Sequence, residues 1–270
     1  MARTLTSGRR RAARALGRIT TWRQEARGPE EVSGRMTDRE VRSMFETTAS
    51  TYDVQNRMLS LGRDRHWRRI FVRHLRLAPR SRVGDMAVGT GEIAIAICRR
   101  YPDARVVGVD FSEGMLRVAR RKIRGLGLED RIELQTGDLR ALTLPDACVD
   151  AVTMSFGIRN IAERTQVLRE CCRVLKPGGL LQIMEMAIPD SGVIAAVYRW
   201  YFDHVMPLVG NWLSRTDYAY SYLMHSVYQF PPDDAFQAEM RVAGFGGTEV
   251  IRITFGTAKI YRARKPGNKK

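Results

Sequence analysis

Cysteine is scarce in this 270-residue chain: Cys98, Cys148, Cys171 and Cys172 are the only four, and none has metal-ligand spacing. The spacing argues against a zinc site, and so small a number in so long a chain argues against a disulfide scaffold. Cys171 and Cys172 are neighbours and point to different faces of any helix, so all four are expected to be reduced thiols. Long hydrophobic runs are missing as well. Nothing approaches the ~18 apolar residues of a membrane span. The opening "MARTLTSGRRRAARALGRITTWRQ" has no apolar core of the kind a secretory leader carries, and none is expected. Histidine is rare, and His66, His74, His204 and His225 read as packing or surface side chains. His204 has the most suggestive setting, inside an aromatic stretch. There is no internal repeat.

Acid is in short supply too. Aspartate and glutamate total 29 against 45 lysines and arginines, a net charge of +16. Residues 1–35 hold nine arginines and three glutamates, a net of +6, and the C-terminal "YRARKPGNKK" is a second basic cluster. This balance favours polyanions, either nucleic acid or an anionic lipid surface. Residues 1–37 are expected to be a disordered basic tail. A mitochondrial presequence shares this composition, so an organellar address stays open beside a cytoplasmic one. A purely nucleic-acid-binding protein would rest on charge alone, since no nucleic-acid module is present and no specific nucleic acid is expected.

What is present is a long alternation of strand and helix signals. Residues 38–77 read as two helices, with Trp67, Ile70, Phe71, His74 and Leu75 at helical spacing. "SRVGDMAV", "ARVVGVDF", "RIELQTGD", "CVDAVTMSF" and "LLQIMEMAI" read as strands. Between them, "GEIAIAICRRY", "SEGMLRVARRKIRGLG", capped by Ser112, and "ERTQVLRECCRVLKPGG", closed by Pro177, Gly178 and Gly179, read as helices. Such alternation predicts parallel βαβ units in an open, doubly wound α/β sheet. "GTEVIRITF" and "TAKIYRAR", with only Gly256 between them, predict a terminal hairpin with one strand antiparallel to the rest. Residues 190–230 interrupt the pattern and hold 10 of the 22 aromatic residues. They predict a helical insertion, broken near Pro207 and Gly210, that packs over the sheet, over a ligand or against a membrane.

"GDMAVGTGE", residues 84–92, joins the first strand to the first helix of the alternation. Gly89 and Gly91 allow a tight turn and close backbone approach, and the helix behind offers free N–H groups to a negative ligand. Asp110 closes the second strand, where a carboxylate can accept from ribose hydroxyls. The loop alone also fits a dinucleotide fingerprint. The terminal hairpin and "RVLKPGGLL" favour S-adenosylmethionine over a nicotinamide cofactor.

Taken in order, "MFETTASTYDVQNRMLSLGRDRHWRR", "GDMAVGTGE", "MSFGIRNI" and "RVLKPGGLL" resemble the ubiquinone/menaquinone biosynthesis C-methyltransferase family, within the class I methyltransferases. The resemblance runs from about residue 40 to 262 and departs from the usual loop at Val88, commonly glycine, and Glu92, commonly aspartate. It implies a Rossmann-like seven-stranded sheet with N-terminal helices in one domain, residues 38–262, followed by a basic tail at 263–270. The implied activity is S-adenosylmethionine-dependent C-methylation of a prenylated quinol in menaquinone (demethylmenaquinol to menaquinol) or ubiquinone biosynthesis. No metal is implied. Small-molecule or lipid C- or O-methylation remains the other enzymatic reading. Cofactor contacts are expected from Gly89, Thr90, Gly91, Asp110, Gly137, Asp138 and Ser155, with Asp138 accepting from the adenine amino group or capping the segment after it. An enzyme of this kind would sit at the inner face of a membrane, its tails on anionic lipid, and a homodimer is compatible with the family.

Residues 154–161 are the most specific of these phrases, because a strand leaving a hydrophobic core there delivers Arg159 and Asn160 at its tip. Methylating carbon requires an electron-rich ring, which a quinol becomes when a hydroxyl loses its proton. A guanidinium beside the ring oxygens favours that phenolate. Asn160 is expected to orient the other oxygen or a water. Tyr52 and Asp53, the candidate bases, belong to a segment that the resemblance places over the site, Tyr52 in contact with the quinol or in helix packing.

Overall fold

A computed structural model describes residues 37–60, 62–189, 192–201, 204 and 218–267. The N-terminal tail, Pro207, Gly210 and much of the aromatic insertion lie outside the described residues, as do 268–270. Residues 38–77 form three helices rather than two: α1 (Asp38–Thr48), α2 (Tyr52–Leu59) and α3 (Asp64–Leu75). The extra break falls around Ala49–Thr51. Thr37 opens α1 with a capping box in which Glu40 answers it.

The alternation then runs β1 (Arg82–Met86), α4 (Glu92–Arg100), β2 (Arg105–Asp110), α5 (Glu113–Gly125), β3 (Ile132–Thr136), β4 (Val149–Ser155), a 3₁₀ turn (Ile158–Asn160), α6 (Arg164–Val174) and β5 (Leu175–Met186). Helices α7 (Gly192–Trp200), α8 (Tyr218–Tyr228) and α9 (Asp233–Val242) follow, then β6 (Gly246–Ile253) and β7 (Ala258–Arg264). As expected, Ser112 caps α5, accepting from the Met115 N–H at 3.3 Å.

The sheet order is β3-β2-β1-β4-β5-β7-β6. Strands β3 to β5 along that order are parallel, and β7 runs antiparallel to both β5 and β6. The chain winds outward from β1 and then crosses back to β4. That leaves a topological switch between these two strands, where open α/β sheets hold their ligands at the carboxyl ends. Both faces of the sheet are covered. Trp67, Phe71, Ile97, Leu116 and Ile123 of α3, α4 and α5 are buried on one, and Leu168, Cys171, Phe236 and Met240 of α6 and α9 on the other. Coverage on both sides explains why the central strands read as unbroken apolar runs.

Two local expectations are corrected. Pro177, Gly178 and Gly179 do not close α6, which ends at Val174; they form an irregularity at the start of β5, where pairing jumps from Val149↔Leu175 to Ala151↔Leu180. A side chain on Gly179 would meet the Lys176 carbonyl at 2.8 Å, and Gly178 has φ +77°. The hairpin turn is also longer than Gly256 alone. Thr254, Phe255 and Gly256 all have positive φ, and the Trp67 indole N–H donates to the Thr254 hydroxyl at 2.8 Å, tying the turn to α3. The four cysteines are unbridged. Among the described residues, no helix is long and apolar enough to cross a membrane, and no cluster of His, Cys, Asp and Glu could hold a metal ion.

Candidate active site

The glycine loop leaves β1 at the switch point. Gly89 and Gly91 have φ of +54° and +81°, and a side chain on Gly91 would press on Ala119 of α5 at 3.3 Å. Val88 takes ordinary dihedrals, and its bulk occupies space left by Gly108, whose missing Cβ would lie 2.8 Å from the valine methyl. A branched residue therefore replaces glycine in this loop without strain. Behind it, Asp85 is buried, accepts from the Thr153 hydroxyl at 2.7 Å, and has its carboxyl pKa pushed up to about 7 by desolvation.

Asp110 is buried at the tip of β2. One of its oxygens accepts from the Gly89 N–H at 2.8 Å, the other from the Ser112 N–H at 2.9 Å. Burial raises its pKa, with these backbone bonds opposing. Each carboxylate oxygen offers two lone-pair sites, so acceptor capacity remains for a ligand diol. Gly137 donates to the Asp110 carbonyl at 3.0 Å. These residues fit S-adenosylmethionine: a turn free of side chains, a buried acceptor at the second strand and a helix N-terminus behind.

The other expected contacts are placed differently. Asp138 is exposed and accepts from the Arg140 N–H at 2.8 Å and from its guanidinium, which holds the carboxyl below its usual range. That is the capping arrangement. The Thr90 hydroxyl donates to Asp53 at 2.7 Å, and Asp53 is ion-paired with Lys122, which also binds Glu92 at 2.7 Å. Asp53 is thus committed to clamping α2 onto the loop and α5, not free to act as a base. Glu46 of α1 similarly accepts from the Ser112 hydroxyl and the Gly114 N–H, at 3.0 and 2.9 Å, over the N-terminus of α5. Ser155 is half-buried at the end of β4.

Beyond Ser155 the chain takes a strained course. Phe156 has φ +59°, a conformation rarely adopted by aromatic residues. Gly157 follows because a Cβ there would lie 2.6 Å from that of Ala87, so the "MSFGIRNI" turn rests directly on the glycine loop. The Phe156 carbonyl then accepts from Arg159 Nη1 at 2.7 Å and from Asn160 Nδ2 at 3.4 Å. One strained residue thereby orients both polar side chains.

Arg159 is not a solvated loop residue. Its side chain is 7% exposed and pairs at 2.7 Å with Glu185, 1% exposed, at the end of β5. The Arg159 backbone N–H reaches the other Glu185 oxygen at 3.3 Å. Burial works against the guanidinium's charge, but Glu185 and the phenols of Tyr52 on α2 and Tyr222 on α8 outweigh it and raise its pKa. Burial draws Glu185 above the usual carboxylate range, against the pull of Arg159. Two buried atoms in this cluster have no partner among the described residues: Arg159 Nε and Asn160 Oδ1. Each such vacancy costs about 1–3 kcal/mol. His204 stacks on Trp200 at 5.7 Å, and nothing among the described residues links it to this cluster.

Glu185 and Tyr222 were missed in the sequence. The signal for Glu185 is an acid inside the apolar strand "LLQIMEMAI", a placement that demands a buried cation. Tyr222 gave none, being one aromatic among ten.

The sequence model of the ubiE/COQ5 methyltransferase family matches residues 34–265. The ubiquinone/menaquinone biosynthesis C-methyltransferase UbiE of Geobacter sulfurreducens is 43% identical over 226 residues, 83% of this chain and 88% of that one. Demethylmenaquinone methyltransferases of Thermus thermophilus and Deinococcus radiodurans are 43% and 44% identical, over 83% and 82% of this chain and 100% and 90% of theirs. Among solved structures, a SAM-dependent methyltransferase of Thermotoga maritima, a possible histamine N-methyltransferase, superposes with TM-score 0.59 at 19% identity, covering 83% of this chain and 98% of that one. The [4+2]-cyclase SpnF superposes with TM-score 0.63 at 17% identity, over 87% and 98% of the two chains. Those two likenesses show the fold alone, on which more than one chemistry is built.

Proposed function

This chain belongs to the ubiE/COQ5 methyltransferase family, and from that premise we propose that it methylates a ring carbon of a prenylated quinol, with demethylmenaquinol as the acceptor. The observation that carries this reading is a buried guanidinium, Arg159, fixed by Glu185 at the mouth of the sheet and packed through Gly157 onto the glycine loop. Gly89, Thr90, Gly91, Asp110, Gly137 and Ser155 are the residues that would hold S-adenosylmethionine, Asp138 being taken up by Arg140. When bound, it supplies a methyl group on a positively charged sulfur, an electrophile that needs placement more than covalent help.

The chain's own task is to make the acceptor nucleophilic. Arg159 sets a positive charge in a dry site against one ring hydroxyl, lowering its pKa so that the proton leaves and the phenolate pushes electrons to the ring carbon. Arginine keeps its own proton and is no base. Asn160 takes the second ring oxygen, Tyr52 flanks the ring, and the carbon that gains a methyl group loses its hydrogen as a proton, restoring the aromatic ring.

Asp110→Ala is expected to weaken S-adenosylmethionine binding by about 2–4 kcal/mol, because two charge-assisted hydrogen bonds are lost. The same change frees the Gly89 and Ser112 N–H groups that hold the loop. Titration calorimetry at unchanged affinity contradicts the assignment.

The acceptor's prenyl chain puts it in a bilayer, so the basic segments serve as a tether to the inner face of an anionic membrane. Removing residues 1–35 is expected to leave turnover of a short-chain quinol intact. Partitioning onto anionic vesicles falls by roughly 1 kcal/mol per basic residue near the surface. Equal sedimentation of truncated and full chains with such vesicles moves the contact to the apolar residues of 190–230.

A further inference from the structure

Arg117, Arg120, Arg121 and Arg124 stand at i, i+3, i+4 and i+7 along α5, so one face of the helix is a stripe of guanidinium groups. All four are exposed, and they line an open groove of about 400 Å³ to which no carboxylate contributes. Side chains at these spacings are neighbours, and every neighbouring pair in the stripe repels. What opposes them is thin. Arg120 is ion-paired with Glu113. Arg117 and Arg124 reach Glu46 and Glu129 only at 3.8 Å, at the surface, where such pairs are weak. Arg121 has no carboxylate partner among the described residues. The helix is destabilised by its own face, and an anion lying along the groove relieves it.

The surroundings are partly apolar. Lys122 ties α5 to Asp53 of α2, and α2 presents Val54 and Met58 to solvent at 55% and 37% exposure. Leu126, just past the end of α5, is 44% exposed. A basic stripe bordered by apolar side chains is the make-up of a helix lying in a membrane interface. No aromatic residue on α5 offers a nucleic-acid base a stacking platform.

We propose that this face of α5 docks on an anionic phospholipid surface, its guanidiniums taking lipid phosphates while Leu126 and α2 enter the headgroup layer. The planar fork of arginine holds two phosphate oxygens at once. The choice of lipid rests on the quinol reading above, because a prenylated acceptor lives in a bilayer. This contact belongs to the folded domain and adds to that of the basic tails. The Ser112 N–H that opens α5 donates to Asp110, so docking here holds the cofactor loop at the lipid surface.

The test is sedimentation of the full-length protein with vesicles of phosphatidylcholine and phosphatidylglycerol in equal parts, beside vesicles of phosphatidylcholine alone. Arg121→Gln with Arg124→Gln is expected to weaken binding to the mixed vesicles by about 25-fold, roughly fivefold for each arginine near the surface. Arg169→Gln with Arg241→Gln removes the same charge from exposed positions on α6 and α9, which cover the opposite face of the sheet. That control lies beyond the ~10 Å reach of screened charge, and its loss is expected to stay within about twofold. The α5 pair is expected to melt no lower than the parent, since like charges are separated. It also methylates a short-chain quinol in detergent at the parent rate. Parent binding to both vesicle types alike, an α5 pair that binds as the parent does, or an equal loss in the control overturns the proposal. So does a loss confined to a duplex oligonucleotide at the same ionic strength, which makes the occupant nucleic acid. Any of these beside normal methylation of the short-chain quinol leaves the quinol reading standing. Weakened vesicle binding without methylation by the parent removes that reading and keeps the lipid surface.

Discussion

Arg159→Ala is expected to lower quinol turnover by roughly two to three orders of magnitude, the usual scale for one donor at a developing oxyanion. Cofactor affinity stays near that of the parent, because the side-chain bonds of Arg159 run to Glu185 and the Phe156 carbonyl rather than to the glycine loop. Lysine does not restore the rate. Its point charge cannot hold Glu185 and the Phe156 carbonyl while addressing the ring, as the planar guanidinium does. Raising the pH partly restores the alanine variant, since hydroxide then ionises a quinol that no cation acidifies. One complication has a direct remedy. Alanine leaves Glu185 buried without its cation, so some activity is lost through folding. Combining Arg159→Ala with Glu185→Gln removes that uncompensated charge, and the double variant is expected to regain stability but not turnover. Steady-state rates beside melting temperatures separate the two effects.

Glu185→Leu is expected to give the largest loss of stability. Removing one partner of a buried ion pair strands the other charge, at about 3–5 kcal/mol. With side chains 7% and 1% exposed, little solvent is at hand to soften that cost. For a domain above 150 residues, each kcal/mol shifts the melting temperature by about 2–4 °C, so a fall of roughly 6–20 °C follows. Replacing both partners, Arg159→Met with Glu185→Leu, is expected to recover most of it, since well-packed apolar pairs substitute for buried ion pairs at little cost. A protein that folds well yet methylates nothing shows that the pair is kept for chemistry. If Glu185→Leu alone melts with the parent, the pair does not hold the site.

The parts of the molecule written in local patterns were legible in the sequence. Strand and helix periodicity gave the doubly wound sheet, and the glycines and Asp110 located the loop and its carboxylate, whose bonds to Gly89 and Ser112 bear on both. Proline and glycine were read as a helix stop at 177–179, but a stop and a strand irregularity use the same residues, and only the pairing of β5 with β4 decides between them. Arg159 was read as more than a solvated loop residue, and it is buried in an ion pair, while the partner in that pair was not read at all. Glu185 lies 26 positions away on the next strand, and the contact exists only because β4 and β5 are parallel neighbours. Asp53 illustrates the opposite case. Its setting suggested a base, but Lys122 and Thr90, distant in sequence, claim its carboxylate.

The central claim is that this chain places a methyl group on the carbon of a reduced prenylated ring. The most direct measurement incubates the purified protein with methyl-labelled S-adenosylmethionine and chemically reduced short-chain demethylmenaquinone, then locates the label by NMR and mass spectrometry. Label on the vacant ring carbon, absent when the quinone is left oxidised and reduced about a hundredfold or more in Arg159→Ala, is the expected result. Label on a ring oxygen, or no transfer to the quinol by protein that binds the cofactor normally, contradicts the account.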